Sequence, residues 1–160
     1  MMTPRIETIG EKKFIGKKLT MSLADNKTFQ LFSDFMPKRK EILNTINTDI
    51  FALQVYPTHY FTDFKPSINF TKWALLEVSN FVDIPNEMES FLLHSGLYAV
   101  FDYKGLSTDK RIYHYIFETW LPNSNYLIDI RPHFEILGKK YKNNDPNSEE
   151  EIWIPVKRNL

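Results

Sequence analysis

Residues 31–37 read Leu-Phe-Ser-Asp-Phe-Met-Pro, and residues 116–122 read Ile-Phe-Glu-Thr-Trp-Leu-Pro. Every position except Asp34 against Thr119 keeps its chemical character. Both stretches end in a proline, which ends or kinks a helix. Each is followed by a short strand-like segment, residues 53–56 or 134–137. The match indicates an internal repeat of roughly 70 to 80 residues.

The elements around the two stretches follow the same order, strand, helix, strand, strand. In the first helix signal Phe29, Phe32 and Met36 recur at helical spacing. A chance match over seven residues is the alternative, but the shared order favours a duplication. We therefore predict one α+β domain over residues 1–160, with repeats at about 5–80 and 88–158. It is a duplicated β-α-β-β fold with pseudo-twofold symmetry, antiparallel sheets flanked by helices, and a ligand groove between the halves.

The composition narrows the function. The aromatic fraction of 15% supplies a core and leaves rings for a cavity that takes flat or apolar ligands. Lys plus Arg equals Asp plus Glu at 20 each, which argues against direct nucleic-acid binding. No apolar run approaches the ~20 residues of a membrane helix, and the first residues lack a signal core. We expect a cytoplasmic protein without membrane contact.

Signatures of cofactor and catalytic sites are missing from the sequence. It contains no phosphate-binding glycine loop and no nucleophile elbow. The absence of cysteine excludes disulfides, thiolate metal sites and cysteine nucleophiles. The histidines stand too far apart in sequence to suggest a zinc pair; they are His59, His94, His114 and His133. We predict neither a metal nor a cofactor.

Glu135 is the leading site candidate because it lies between Phe134 and Ile136 in an apolar strand. Alternation places His133, Glu135 and Leu137 on one face. If Phe134 and Ile136 pack under the helix, Glu135 points the other way, into the groove. There it can attract a cationic ligand or act as a general acid or base. The alternative is a half-exposed glutamate paired with water or a lysine.

Further candidates surround this glutamate. Gln54 occupies the matching position in the first half, so we expect a charged wall facing an uncharged wall. The Tyr98 hydroxyl is placed to bond a ligand or Glu135, with a core role as the alternative. The other candidate ligand contacts are aromatic, and each has a core role as its alternative; they are Phe35, Tyr56, Trp73 and Trp120.

Four stretches, residues 96–101, 120–122, 131–135 and 151–157, together resemble the GyrI-like small-molecule-binding domain. This is also the effector-binding domain of AraC-type and MerR-type bacterial transcription regulators. The order and spacing match from about residue 5 to residue 157. The resemblance implies the duplicated fold and a groove for hydrophobic, often cationic, compounds.

The resemblance places the recurrent groove glutamate of the family on Glu135. The family usually has tyrosine two residues later, where this chain has Leu137. Many members carry a DNA-binding module before the domain. Here the strand pattern begins by about residue 5, so we expect a stand-alone member that acts as a sensor, a sequestering protein or a multidrug-binding protein.

Two other functions follow from the same resemblance. Some members hydrolyse reactive cyclopropanoid compounds with a tyrosine and a glutamate, which Tyr98 and Glu135 would supply here. Others protect DNA gyrase from toxins, which implies a protein partner such as gyrase or a regulator. Ligand binding without turnover is the leading interpretation, because the sequence shows one carboxylate and no catalytic set.

Overall fold

The computed structural model describes residues 2–160 and confirms the α+β fold class. Within these residues, two helices accompany nine strands. The elements, in chain order, are β1 Arg5–Ile9, β2 Lys12–Met21, α1 Thr28–Lys38, β3 Thr45–Val55, β4 Phe70–Val78, β5 Glu89–Leu93, β6 Gly96–Lys104, α2 Arg111–Tyr115, β7 Tyr126–Ile128, β8 His133–Leu137 and β9 Glu149–Arg158. A 3-10 turn, Arg39–Glu41, follows α1, and a π-helical turn, Ile116–Trp120, follows α2. No helix among these residues has the length and hydropathy to cross a membrane.

The strands form one antiparallel sheet in the order β1-β6-β9-β8-β3-β4-β2-β5, and β7 pairs with β9 beside this path. The order has a pseudo-twofold pattern, because it divides between β8 and β3 into two sets of four strands. β1 pairs with β6, and β5 pairs with β2. Each set of four strands is therefore completed by one strand from the other predicted repeat. The limits of that repeat stay a prediction.

One face of the sheet carries a core built only from strand residues. Its rings form a continuous row across the sheet. Phe14 and Phe51 lie 4.7 Å apart between centroids, and Phe134 stacks on Trp153 at 5.2 Å. Tyr98 packs against Phe134 at 5.1 Å. The sheet curls around these rings, so this face is closed to ligands.

Both helices pack on the opposite face. Leu31 and Phe35 of α1 are buried, as are Ile112 and Ile116 of the second helical segment. Each pair has the i, i+4 spacing that forms a single apolar stripe. Phe29, the first of the three residues at helical spacing, is 84% exposed and does not belong to the buried stripe. It lies outside the stripe that Leu31 and Phe35 define.

The helices leave the centre of the sheet uncovered. α1 packs against β2 and β4, while α2 and its π-helical turn pack against β6 and β9. In the central ladder Leu53 pairs with Phe134, and Ala52 pairs with Glu135. Because side chains alternate, Leu53 and Phe134 enter the strand core, and Glu135 faces the helices. The strands β3 and β8 thus form the floor of a groove between the helices, which we call the central groove.

Gly16 lies where β2 closely approaches the neighbouring strand β4. A Cβ atom at this position would collide with the carbonyl oxygen of Ala74, whereas one at Gly10 would meet nothing within 4 Å. We expect Gly16→Ala to lower the free energy of unfolding by about 1–3 kcal/mol, as overpacking does. Gly10→Ala is the control and should be neutral or slightly stabilising. Equal denaturation midpoints for the two variants would contradict the packing at β2.

Candidate functional site

The floor of the central groove carries a hydrogen-bonded pair of polar side chains. Gln54 of β3 donates its Nε2 hydrogen to Oε1 of Glu135 on β8 at 3.1 Å. The expectation that these residues form opposite walls is wrong, because they lie on adjacent strands of one floor. Phe134 and Ile136 do not pack under a helix but in the strand core. Glu135 faces the groove because the helices stand apart above β3 and β8.

The positive charge of Lys72 acts on Glu135, but the two side chains form no ion pair among residues 2–160. Burial raises the pKa of Glu135, while the charge of Lys72 and the Gln54 hydrogen bond oppose this shift. Lys72 of β4 donates from Nζ to Oγ1 of Thr28 at 3.1 Å, and burial lowers its pKa. Within residues 2–160 no ion pair shorter than 4.0 Å involves Glu135. An unpaired carboxylate in a partly buried site favours a positively charged ligand.

Glu150 is a second carboxylate on the same face. Ile152 pairs with Glu135 between β9 and β8, so alternation places Glu150 on the groove side of β9. Burial raises the pKa of Glu150 to about 7, and the negative charge of Glu135 adds to the shift. Glu150 is not among the predicted site residues, although it belongs to an acidic run, residues 149–151, at the start of a strand. Period-two alternation in that run was the signal.

Two tyrosines add neutral hydroxyl groups near Glu135. Tyr56 follows Gln54 by two residues, on the same face as Gln54 and Glu135. Burial, together with the charge of Glu135, raises the pKa of Tyr56 well above its ordinary value. The same two causes raise the pKa of Tyr113 in α2. Lys110 lies over the Tyr113 ring, 5.7 Å from its centroid. Both phenols therefore remain protonated and can donate hydrogen bonds.

Aromatic side chains close the central groove. Phe61, from the loop of residues 57–69, stacks on Phe117 of the π-helical turn with 5.3 Å between centroids. It also stacks on His133 of the floor at 5.1 Å. Tyr56 meets His133 edge-on at 4.9 Å. Burial and, to a smaller extent, the charge of Arg131 lower the pKa of His133 to about 3, so its ring is a neutral surface at physiological pH.

Three of the predicted site residues come together here: Gln54, Tyr56 and Glu135. Tyr98 does not, because it is fully buried in the strand core and its hydroxyl donates to the Pro132 carbonyl at 2.8 Å. Tyr98 and Glu135 lie on opposite faces of the sheet, so one bound atom cannot contact both. The prediction that this pair carries hydrolysis is therefore wrong.

The other predicted contacts belong to hydrophobic cores. Trp73 packs against Phe91 in the strand core, at 5.1 Å between ring centroids. Phe35 is fully buried beneath α1. Trp120 meets Phe101 edge-on at 5.2 Å in the core under the second helical segment. Six further residues lie at the central groove and are not among the predicted site residues; they are Phe61, Lys72, Tyr113, Phe117, His133 and Glu150.

Open depressions elsewhere on the surface do not reach Glu135. One of about 440 Å³ lies beside β7 and includes Leu121, Tyr126 and Lys157. Another of about 280 Å³ lies between α1 and β2 and includes Lys17 and Asp34. Both are shallow and lack the stacked rings of the central groove. We therefore place the candidate site in the central groove, although the chain's own aromatic residues fill it here.

Comparison with known proteins supports this architecture. Residues 5–156 match the family model Cass2, described as integron-associated effector binding protein. No curated protein sequence matches the chain. The C-terminal domain of EcmrR has a TM-score of 0.72 at 13% identity, covering 99% of both chains.

Two further solved structures share the fold over almost the whole chain. SAV2435 bound to tetraphenylphosphonium has a TM-score of 0.64 at 19% identity, covering 98% of this chain and 94% of that one. The integron cassette protein VCH_CASS2 of Vibrio cholerae has a TM-score of 0.62 at 16% identity, covering 98% and 97%. At these identities the likeness shows the fold.

The raised pKa of Glu150 predicts a pH-dependent stability. Between pH 4.5 and about pH 7, Glu150 keeps its proton in the folded state and releases it in the unfolded state. The contribution of Glu150 to the free energy of unfolding therefore falls as the pH rises through this window. We expect Glu150→Gln to match wild type in unfolding free energy at pH 4. At pH 8 it should gain on the order of 1–3 kcal/mol, the lower value if solvent screens the charge.

Urea denaturation at both pH values measures this difference. Glu149→Gln is the control, because it removes the same charge from the opposite face of β9. A gain that is identical at pH 4 and pH 8 would show that Glu150 is not desolvated beside Glu135.

Proposed function

Since the chain belongs to the Cass2 family of integron-associated effector-binding proteins, we propose that its central groove binds a hydrophobic organic cation. The carrying observation is Glu135, a partly buried carboxylate that has a neutral hydrogen-bond partner, Gln54, and no ion pair within residues 2–160. A cation seated beside it would gain a counter-charge in a medium that screens charge less than water. Glu150 adds a second carboxyl group on the same face, whose negative charge grows as the pH rises through about 7.

The aromatic walls favour a lipophilic cation over a strongly hydrated one. Tyr56, Tyr113 and Phe117 supply aromatic rings, whose faces attract diffuse positive charge. His133 adds a ring that is neutral at physiological pH, so it does not repel the ligand. SAV2435, which has the same fold, is seen bound to tetraphenylphosphonium, a cation of this chemical class. The shared fold supports the proposal without identifying the natural ligand.

Such binding suits a sensor or a sequestering protein of broad ligand range. EcmrR, whose C-terminal domain shares the fold, has also been seen as a complex with DNA. This chain is neutral overall, and we infer that it acts on its ligand without contacting nucleic acid itself. We place this role in the cytoplasm, as the sequence suggests. A hydrolytic role has no support from Tyr98, which faces away from the groove.

Tetraphenylphosphonium titrations test the proposal. We expect saturable binding by wild type and at least about tenfold weaker binding by Glu135→Gln, because the cation loses its counter-charge in a partly buried site. Isothermal titration calorimetry measures both dissociation constants. Glu149→Gln is the control for lost net charge and should bind as wild type does.

A neutral ligand of similar shape separates charge from packing. Triphenylphosphine oxide should bind wild type and Glu135→Gln with similar affinity. Unchanged affinity of Glu135→Gln for the phosphonium ion would contradict a charge-pairing role, and no binding by wild type would overturn the proposed function.

A further inference from the structure

The Phe61 ring contacts three aromatic residues that lie in, or directly beside, the strands and helices of the fold. Its ring lies near-parallel to Phe117, with an interplanar angle of 29°, and to His133, with an angle of 22°. Tyr56 meets the Phe61 ring edge-on at 5.1 Å. His133 begins β8, Tyr56 directly follows β3, and Phe117 lies in the π-helical turn. The Phe117 and His133 rings also contact each other, with 6.3 Å between their centroids, so Phe61 lies across this pair and not between its members.

Phe61 itself belongs to a loop. Residues 57–69 contain no helix or strand, and the backbone hydrogen bonds described near Phe61 are local. Tyr60 donates to the carbonyl of Pro57, and Asp63 donates to that of His59. Farther along, the Ala24 amide donates to the Pro66 carbonyl and ties that end of the loop to the chain before α1. Ring contacts, rather than a strand ladder, hold the Phe61 end in place.

We propose that Phe61 is an internal occupant of an aromatic subsite formed by Phe117, His133 and Tyr56, and that a planar ring of the ligand replaces it while the Phe61 side chain turns outward. This inference rests on the proposed function and deepens it. A ring from the ligand would recover the stacking that Phe61 gives up, so the exchange needs little net loss of aromatic contact. The loop then acts as a competitor that lowers the apparent affinity.

The geometry also defines the ligand class. His133 and Glu135 are two residues apart on one face of β8, which separates their backbone positions by about 7 Å. A ligand that fills the subsite and also reaches the carboxylate therefore needs an aryl ring and a positive centre within roughly that distance. Aryl phosphonium or aryl ammonium ions meet this requirement. Purely aliphatic cations can reach Glu135 but cannot stack in the subsite.

Removing the Phe61 ring tests the exchange directly. We expect Phe61→Ala to bind tetraphenylphosphonium at least about fivefold more tightly than wild type, since the ligand no longer displaces two stacked contacts. Calorimetric titration gives the dissociation constants. Phe64→Ala is the matched control: it removes the same side chain from the same loop, and Phe64 touches Tyr60 but not Phe117 or His133 in the described ring contacts.

Two further measurements separate the outcomes. Phe61→Leu keeps an apolar side chain in the loop, so it serves as a second variant in case Phe61→Ala weakens the fold. We expect it also to bind the phosphonium ion more tightly than wild type. Tetrabutylphosphonium, which has no ring to stack, should show no gain with either variant. Weaker or unchanged phosphonium binding by both Phe61 variants, with wild type still binding, would overturn this inference alone. Tighter phosphonium binding by both variants than by wild type would support it, and no binding by wild type or by either variant would overturn it together with the proposed function.

Discussion

The ladder between β3 and β8 joins the two sets of strands into one sheet, and its register determines both the core and the site. Leu53 and Phe134 face each other in this ladder and complete the row of rings in the strand core. Because side chains alternate along a strand, Gln54 and Glu135 must then face the helices. A slip of one residue would exchange the faces, so that a carboxylate would enter the ring core and Phe134 would enter the groove. The cost of burying that carboxylate protects the register.

The same ladder explains why the groove exists. α1 packs on β2 and β4, and the second helical segment packs on β6 and β9, so neither helix lies directly over the central pair. The floor is therefore sheltered by the helices without being filled by them. The strands β3, β8 and β9 can therefore place polar side chains on this floor, provided that another part of the chain covers the floor. In this structure the cover is Phe61, whose ring lies across the Phe117 and His133 rings and contacts both.

Local alternation was enough to predict part of this site. It separated Glu135 from Phe134 correctly, because two neighbours in a strand must point to opposite faces. It failed for Tyr98 and Trp73, because both faces of this sheet are apolar and alternation does not say which face meets the helices. The α+β class also followed from the sequence, since element order is a local property.

The contacts that escaped prediction are long-range or lie in loops. Lys72 was hidden within an apolar strand, and its closeness to Glu135 depends on the pairing of β4 with β3. Phe61 belongs to a proline-bounded loop with no periodicity, so its place in the aromatic stack arises only in the folded chain. The central claim, that the groove above Glu135 holds an organic cation, is tested most directly by a crystal structure with tetraphenylphosphonium. We predict the phosphonium ion in the groove beside Glu135, with one phenyl ring in the place of Phe61, against Phe117 and His133. An ion found only in the depression beside β7, with Phe61 still stacked, would contradict it.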